Sequence, residues 1–172
     1  MATWPAATEL ENPAAGRLEH LLRGHGVRLH HGARLARGSA ANIDHIAVGP
    51  GGVTVIDTKD WKGKVQVRSE GGLLHPRETH LIVAGRRQPK AVDALIRRMD
   101  AVRTVTGPDV DVRGAFCLVG TTGLPLFGRL EIQGILIANE RGVAKLIRRK
   151  GSLNAAQVER LARRLEAAFP SR

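Results

Sequence analysis

The chain has 172 residues, enough for one domain with a real core, since a chain of about 150 residues buries roughly 70% of its unfolded surface. Its 27 Lys and Arg against 16 Asp and Glu leave a formal charge of +11, so the balance fits a polyanion binder, with nucleic acid the leading partner, or an Arg-rich composition spread along the whole chain. A single cysteine, Cys117 in the apolar run GAFCLVG, excludes an internal disulfide and a thiolate metal cluster. With neither a signal-like start nor a run of about 18 apolar residues, the chain reads as soluble and cytoplasmic, with no membrane partner.

Residues 1–12 are read as a flexible N-terminal segment and 13–172 as a single domain. Asn12 before Pro13 predicts a helix start, because Asn can cap free amides and Pro at the first position lacks only an N–H that would go unpaired. The helix is expected to run to about Arg23 and stop at Gly24. Its apolar stripe is Ala14, Ala15, Leu18, Leu21 and Leu22, with Glu19 at the edge and able to face a polar pocket. Strands are expected at about 26–35, 42–48, 53–59, 64–68, 72–75 and 79–84, as a meander punctuated by glycine turns. His30 and His31 lack the i, i+4 spacing of a helical zinc site and are expected on a strand surface.

From Pro89 to Thr104, Val92, Leu95, Ile96, Met99 and Val102 keep a helical rhythm, while Lys90, Arg97, Arg98 and Arg103 lie off that stripe. Strands at about 112–119 and 131–137 and a short helix at about 139–148 follow. Leu153, Asn154, Gln157 and Val158 form a capping box with a hydrophobic staple, opening a helix to Phe169 with inner stripe Val158, Leu161, Ala162 and Leu165. The pattern is mixed α/β. Arg97, Arg98, Arg148, Arg149 and Lys150 are the candidates for phosphate contacts; a merely solvated basic face is the other reading.

The stretch NIDHIAVGPGGVTVIDTKDWKGKV, residues 42–65, places Asp44, Asp57 and Lys59 among apolar residues. A turn centred between Pro50 and Gly51 sets Val48 against Val53, Ile46 against Val55 and Asp44 against Asp57. Opposed carboxylates destabilise an antiparallel pair unless positive charge sits between them. Lys59 supplies one charge, and a hard divalent cation, Mg²⁺ or Mn²⁺, would supply the rest. Such a site hydrolyses phosphodiesters; an ordinary ion-pair cluster at a strand end is the alternative.

The same stretch resembles the central motif of the nuclease-related domain (NERD) family: an Asp-His pair, a VGPGGV turn, an acidic-x-Lys strand end and a W-x-G segment. A looser resemblance runs from the AAGRLEHLL helix to the RRQPKAVDALIRRM helix, and beyond residue 104 it rests on the order of elements. The resemblance implies a restriction-endonuclease-like fold, a central mixed sheet flanked by helices, with a metal-dependent nuclease site. It implies Asp44 and Asp57 as metal ligands, Lys59 as the catalytic lysine and Glu19 as the helix acid completing the site, with Glu11 the weaker candidate. The chain departs from the family pattern in having Asp57 where Glu is commoner, Gln88-Pro89 for Asn-Pro, and Val92 at a later Gln position. Gly51, Gly52 and Trp61 are read as scaffold, the glycines permitting positive φ. A catalytically weak nucleic-acid-binding module of the same fold is the competing function.

Overall fold

The computed structural model describes residues 13–35, 42–73, 75–120, 123–124 and 129–171, so Glu11, the Asn12 cap and the expected N-terminal segment lie outside the described residues. Residues 53–57 are buried without interruption. A strand buried on both faces needs helices on both sides, and the chain supplies them.

The elements run α1 (Pro13–Leu22), β1 (Arg28–Arg34), β2 (Asn42–Gly49), β3 (Gly52–Lys59), β4 (Val65–Gly72), β5 (His75–Val83), β6 (Arg86–Arg87), α2 (Pro89–Thr106), β7 (Val112–Leu118), β8 (Leu130–Ile132), β9 (Ile135–Ala138), α3 (Glu140–Ile147) and α4 (Ala155–Ala168). Among the described residues, six strands form a mixed sheet in the order β1-β2-β3-β7-β9-β8, and β4-β5-β6 form a second, smaller one. β1, β2 and β3 are antiparallel neighbours, β3 runs parallel to β7, and β7 parallel to β9. The crossover from β3 to β7 carries the small sheet and α2.

Two apolar layers sandwich the large sheet. Leu18 and Leu22 of α1 and Val143, Leu146 and Ile147 of α3 pack with Ala47, Ile56, Ala115 and Cys117 on one face. Val92, Leu95, Met99 and Val102 of α2 and Val158, Leu161 and Leu165 of α4 pack with Ile46, Val48, Val53, Val55 and Phe116 on the other. Each large apolar side chain buried this way contributes roughly 1.5–3 kcal/mol. Asn154 and Gln157 close the capping box as expected. Trp61 packs on Phe116, ring centroids 5.3 Å apart, in keeping with a scaffold residue.

Several local expectations are corrected. The meander ends at β3, because β3 takes β7 as its second partner and residues 60–64 lead off into the separate small sheet. The expected break between 75 and 79 is absent, since β5 runs through it while Gly72 ends β4; Pro76 is tolerated because Pro76 and Arg77 together oppose Gly71 in a bulge of the β4–β5 ladder. The expected strand at 131–137 is a hairpin. Gln133 (φ 49°) and Gly134 (φ 78°) both take left-handed backbone, the two-residue turn that joins antiparallel strands. Gly52 has φ 112°, but Gly51 is required by close approach: a Cβ there would lie 2.8 Å from the Arg149 carbonyl oxygen. His30 is a core residue, 6% exposed, with Nε2 donating to the Phe169 carbonyl at 2.7 Å.

Candidate active site

The β2–β3 hairpin has the expected register, Val48 opposite Val53 and Ile46 opposite Val55, as far as His45 opposite Ile56. Asp44 and Asp57 would come next, but the ladder stops. The β1–β2 register skips the same place, passing from His31–His45 to Ala33–Ile43, and Gly32, facing Asp44, has φ 61°. Ile43 and Ile46 both join the α2-side core although strict alternation would separate them. β2 therefore deviates at Asp44, and the Asp44 side chain substitutes for the missing ladder bond: its Oδ2 accepts from the Thr58 amide at 2.9 Å.

Asp57 shares the face of Val53 and Val55, toward α2, and is 4% exposed. A buried carboxylate needs counter-charge. Lys59 Nζ lies 2.8 Å from Oδ1 and Arg98 Nη1, reaching in from α2, 2.7 Å from Oδ2. Burial pushes the Asp57 carboxyl above its ordinary value; Lys59 pulls it back by hydrogen bond and charge, the Asp44 charge raises it further, and Arg98 lowers it. Asp44, Asp57 and Lys59 are thus brought together at the end of β3.

Glu19 goes elsewhere. Its Oε1 accepts from His31 Nε2 at 2.8 Å, His31 Nδ1 lies 2.7 Å from His45 Nδ1, and His45 Nε2 lies 3.1 Å from Thr58 Oγ1. The two Nδ1 atoms share one proton, so one ring donates and the other accepts. Burial first, then the His31 charge, lowers His45 to about 3 despite the opposing pull of Asp57, which keeps the ring neutral. The chain Glu19–His31–His45–Thr58 crosses from α1 to β3 on the opposite face from Asp57. His31 is therefore half-buried in this chain rather than lying on an open strand surface. Among the described residues no three His, Cys, Asp or Glu side chains converge as a metal-holding group, so Glu19 is not brought to the aspartates as a third ligand.

Residues 6–119 match the family model described as nuclease-related domain, a span of more than half the chain. The chain belongs to the nuclease-related domain family. No curated protein and no solved structure matches it. The six-strand mixed sheet flanked by helices is the restriction-endonuclease-like fold that this family shares. The family match includes Glu19, Asp44, Asp57, Lys59 and Arg98, and ends before α3.

Within this nuclease-related domain the five candidate phosphate-contacting residues divide into three places. Arg97 is exposed on the outer side of α2, while Arg98, expected beside it on the basic face, turns inward to Asp57 with its side chain 20% exposed. The reason is helical: Arg98 stands one turn from both Leu95 and Val102, at the margin of the buried stripe. That spacing is the signal by which the sequence could have revealed it. Arg148, Arg149 and Lys150 are exposed after α3, where Leu153 N donates to the Pro50 carbonyl at 3.1 Å. They stand at the turn end of β3, roughly 20 Å from Lys59 at about 3.3 Å per strand residue.

Cys117 is fully buried, and burial followed by the charge of Glu140 raises its thiol to about 12, so it is an inert core residue.

Proposed function

We propose that this nuclease-related domain is a metal-dependent nuclease hydrolysing phosphodiester bonds, with DNA as its substrate. The observation that carries the reading is Asp57, a buried carboxylate at a strand end, in contact with Lys59 and adjacent to Thr58, whose amide donates to Asp44 Oδ2 at 2.9 Å. Two carboxylates on adjoining strands suit Mg²⁺ or Mn²⁺, since Mg²⁺ usually takes one or two protein carboxylates and completes its shell with water and substrate phosphate. The donor chemistry therefore fits, with Asp44 and Asp57 as the protein ligands. When bound, such an ion polarises a phosphoryl oxygen and acidifies water.

The remaining roles belong to the chain's own side chains. Lys59 is 28% exposed, so its ammonium can hold an attacking water or offset the charge that develops on phosphorus-bound oxygen. Thr58 stands between Asp57 and Lys59, and both its groups are held, the amide by Asp44 and the hydroxyl by His45. That double anchoring fixes the strand end on which the two functional residues sit. Glu19 acts here as a positioning residue through His31 and His45. Arg97 supplies a phosphate contact on the outer side of α2, and Arg148, Arg149 and Lys150 a more remote one.

A second reading, a nucleic-acid-binding module without turnover, is favoured by one observation: both Asp57 oxygens already face cations. Incubating labelled single-stranded, double-stranded and branched DNA, with RNA as comparison, in Mg²⁺, Mn²⁺ or EDTA decides between them. Cleavage that requires the metal supports the nuclease; salt-sensitive binding without cleavage in any metal supports the module.

A further inference from the structure

The contact between Arg98 and Asp57 spans 41 positions in sequence and joins the third turn of α2 to the end of β3. Unlike Lys59, which lies beside Asp57 by the geometry of a strand, Arg98 reaches the acid from another element. Among the described residues its single hydrogen bond uses Nη1, so the rest of the guanidinium fork is uncommitted, and the side chain is 20% exposed. Four formal charges meet here: Asp44 and Asp57 negative, Lys59 and Arg98 positive. They sum to zero.

A divalent ion on Asp57 breaks that balance. Asp57 Oδ2 has lone pairs enough for two partners, so shape does not forbid sharing, but a dication is repelled by a guanidinium beside a carboxylate only 5% exposed. One phosphodiester halves the added charge, and a shift of Arg98 from Asp57 onto that anion separates the guanidinium from the metal. Arginine is suited to both states, because its planar fork binds carboxylate and phosphate alike. The exchange needs only rotation of the Arg98 side chain, which is part-exposed.

We infer that Arg98 couples metal and phosphodiester binding: it neutralises Asp57 in the metal-free protein and transfers to a phosphodiester oxygen of the substrate when Asp57 takes a divalent cation. The inference deepens the nuclease reading and rests on it. Arg98 thereby disfavours metal loading in the absence of nucleic acid. Coupling of this kind is reciprocal, so DNA must tighten metal binding by the same factor by which metal tightens DNA binding.

The test is calorimetric titration of Mn²⁺ into the full chain, alone and saturated with a phosphorothioate DNA duplex that resists hydrolysis, for wild type, Arg98→Met and Arg98→Lys, with thermal unfolding of each metal-free protein. In wild type the duplex should tighten Mn²⁺ about tenfold, within the usual range of coupling between sites. Arg98→Met should bind Mn²⁺ several-fold more tightly than wild type without DNA and keep less than about a twofold enhancement with it. Should Arg98→Met fail to fold, Arg98→Lys decides: it retains a cation near Asp57 but not the fork, and at least half of the DNA enhancement should be lost. If Mn²⁺ affinity and its enhancement by DNA stay at wild-type values while only the unfolding temperature falls, Arg98 is a bolt between α2 and β3 and the inference is overturned, with the nuclease reading intact. If wild type binds no Mn²⁺ with or without DNA, both fail together.

Discussion

Asp57 and Thr58 are neighbours in sequence, yet the two faces of β3 give them opposite surroundings. Toward α2, Asp57 sits among full charges, held by Lys59 and Arg98. Toward α1, Thr58 ends a chain of hydrogen bonds through the neutral ring of His45 to His31 and Glu19. A strand's alternation thus places a charged, exchangeable cluster and a fixed hydrogen-bonded scaffold back to back. The first can change partners when a ligand brings charge; the second is linked at every step by a hydrogen bond of 2.7–3.1 Å between side chains already paired.

Breaking the charged side should show in chemistry. Lys59→Ala is expected to lower single-turnover cleavage roughly 10²–10⁴-fold, the usual size of lost acid–base assistance, while leaving Mn²⁺ binding intact or stronger. Breaking the scaffold side should show in stability instead. His45→Ala opens a cavity and strands the His31 and Thr58 partners, so denaturant unfolding is expected to report a loss of about 2–4 kcal/mol. Activity per folded molecule should fall far less than in Lys59→Ala.

Acid should separate the faces by sign. His45 is lowered from 6.5 to about 3 in the folded protein, so between those values the unfolded chain binds the extra proton. Stability is lost as pH falls through that window, by at most about 1.4 kcal/mol per unit from this group. Asp57 is raised above 3.8, so acidification from its raised value toward 3.8 favours the folded form. Unfolding measured from pH 7 to 4 should show a shallower acid loss in His45→Gln than in wild type, and a steeper one in Asp57→Asn.

Much of this was legible in the chain. The hairpin register, the α2 stripe and the α4 capping box follow from local spacing, and the acidic-x-Lys element led to Asp57 and Lys59. The remainder depended on long-range partners. Asp44 misses direct opposition to Asp57 because β2 deviates there, and nothing in NIDHI signals that deviation. Glu19 pairs with His31 only because β1 lies against β2 in one register, which places His31 beside His45. The Ala84-Gly85 and Gln133-Gly134 turns lack the usual Asn-Gly signature, so β6 and the β8–β9 hairpin were hidden. Arg148, Arg149 and Lys150 looked like part of one basic surface, but the length of β3 separates them from the aspartates.

A metal ligand at Asp57 and a mere centre of an ion-pair cluster differ in one property, the loss of metal binding with its charge. Calorimetric titration of Mn²⁺ into wild type and Asp57→Asn tests that difference most directly, because the substitution keeps the side chain's shape and removes its charge. Wild type should bind Mn²⁺ measurably and Asp57→Asn should not. Equal Mn²⁺ binding in the two proteins, with a lower unfolding temperature for Asp57→Asn, would contradict a ligand role for Asp57.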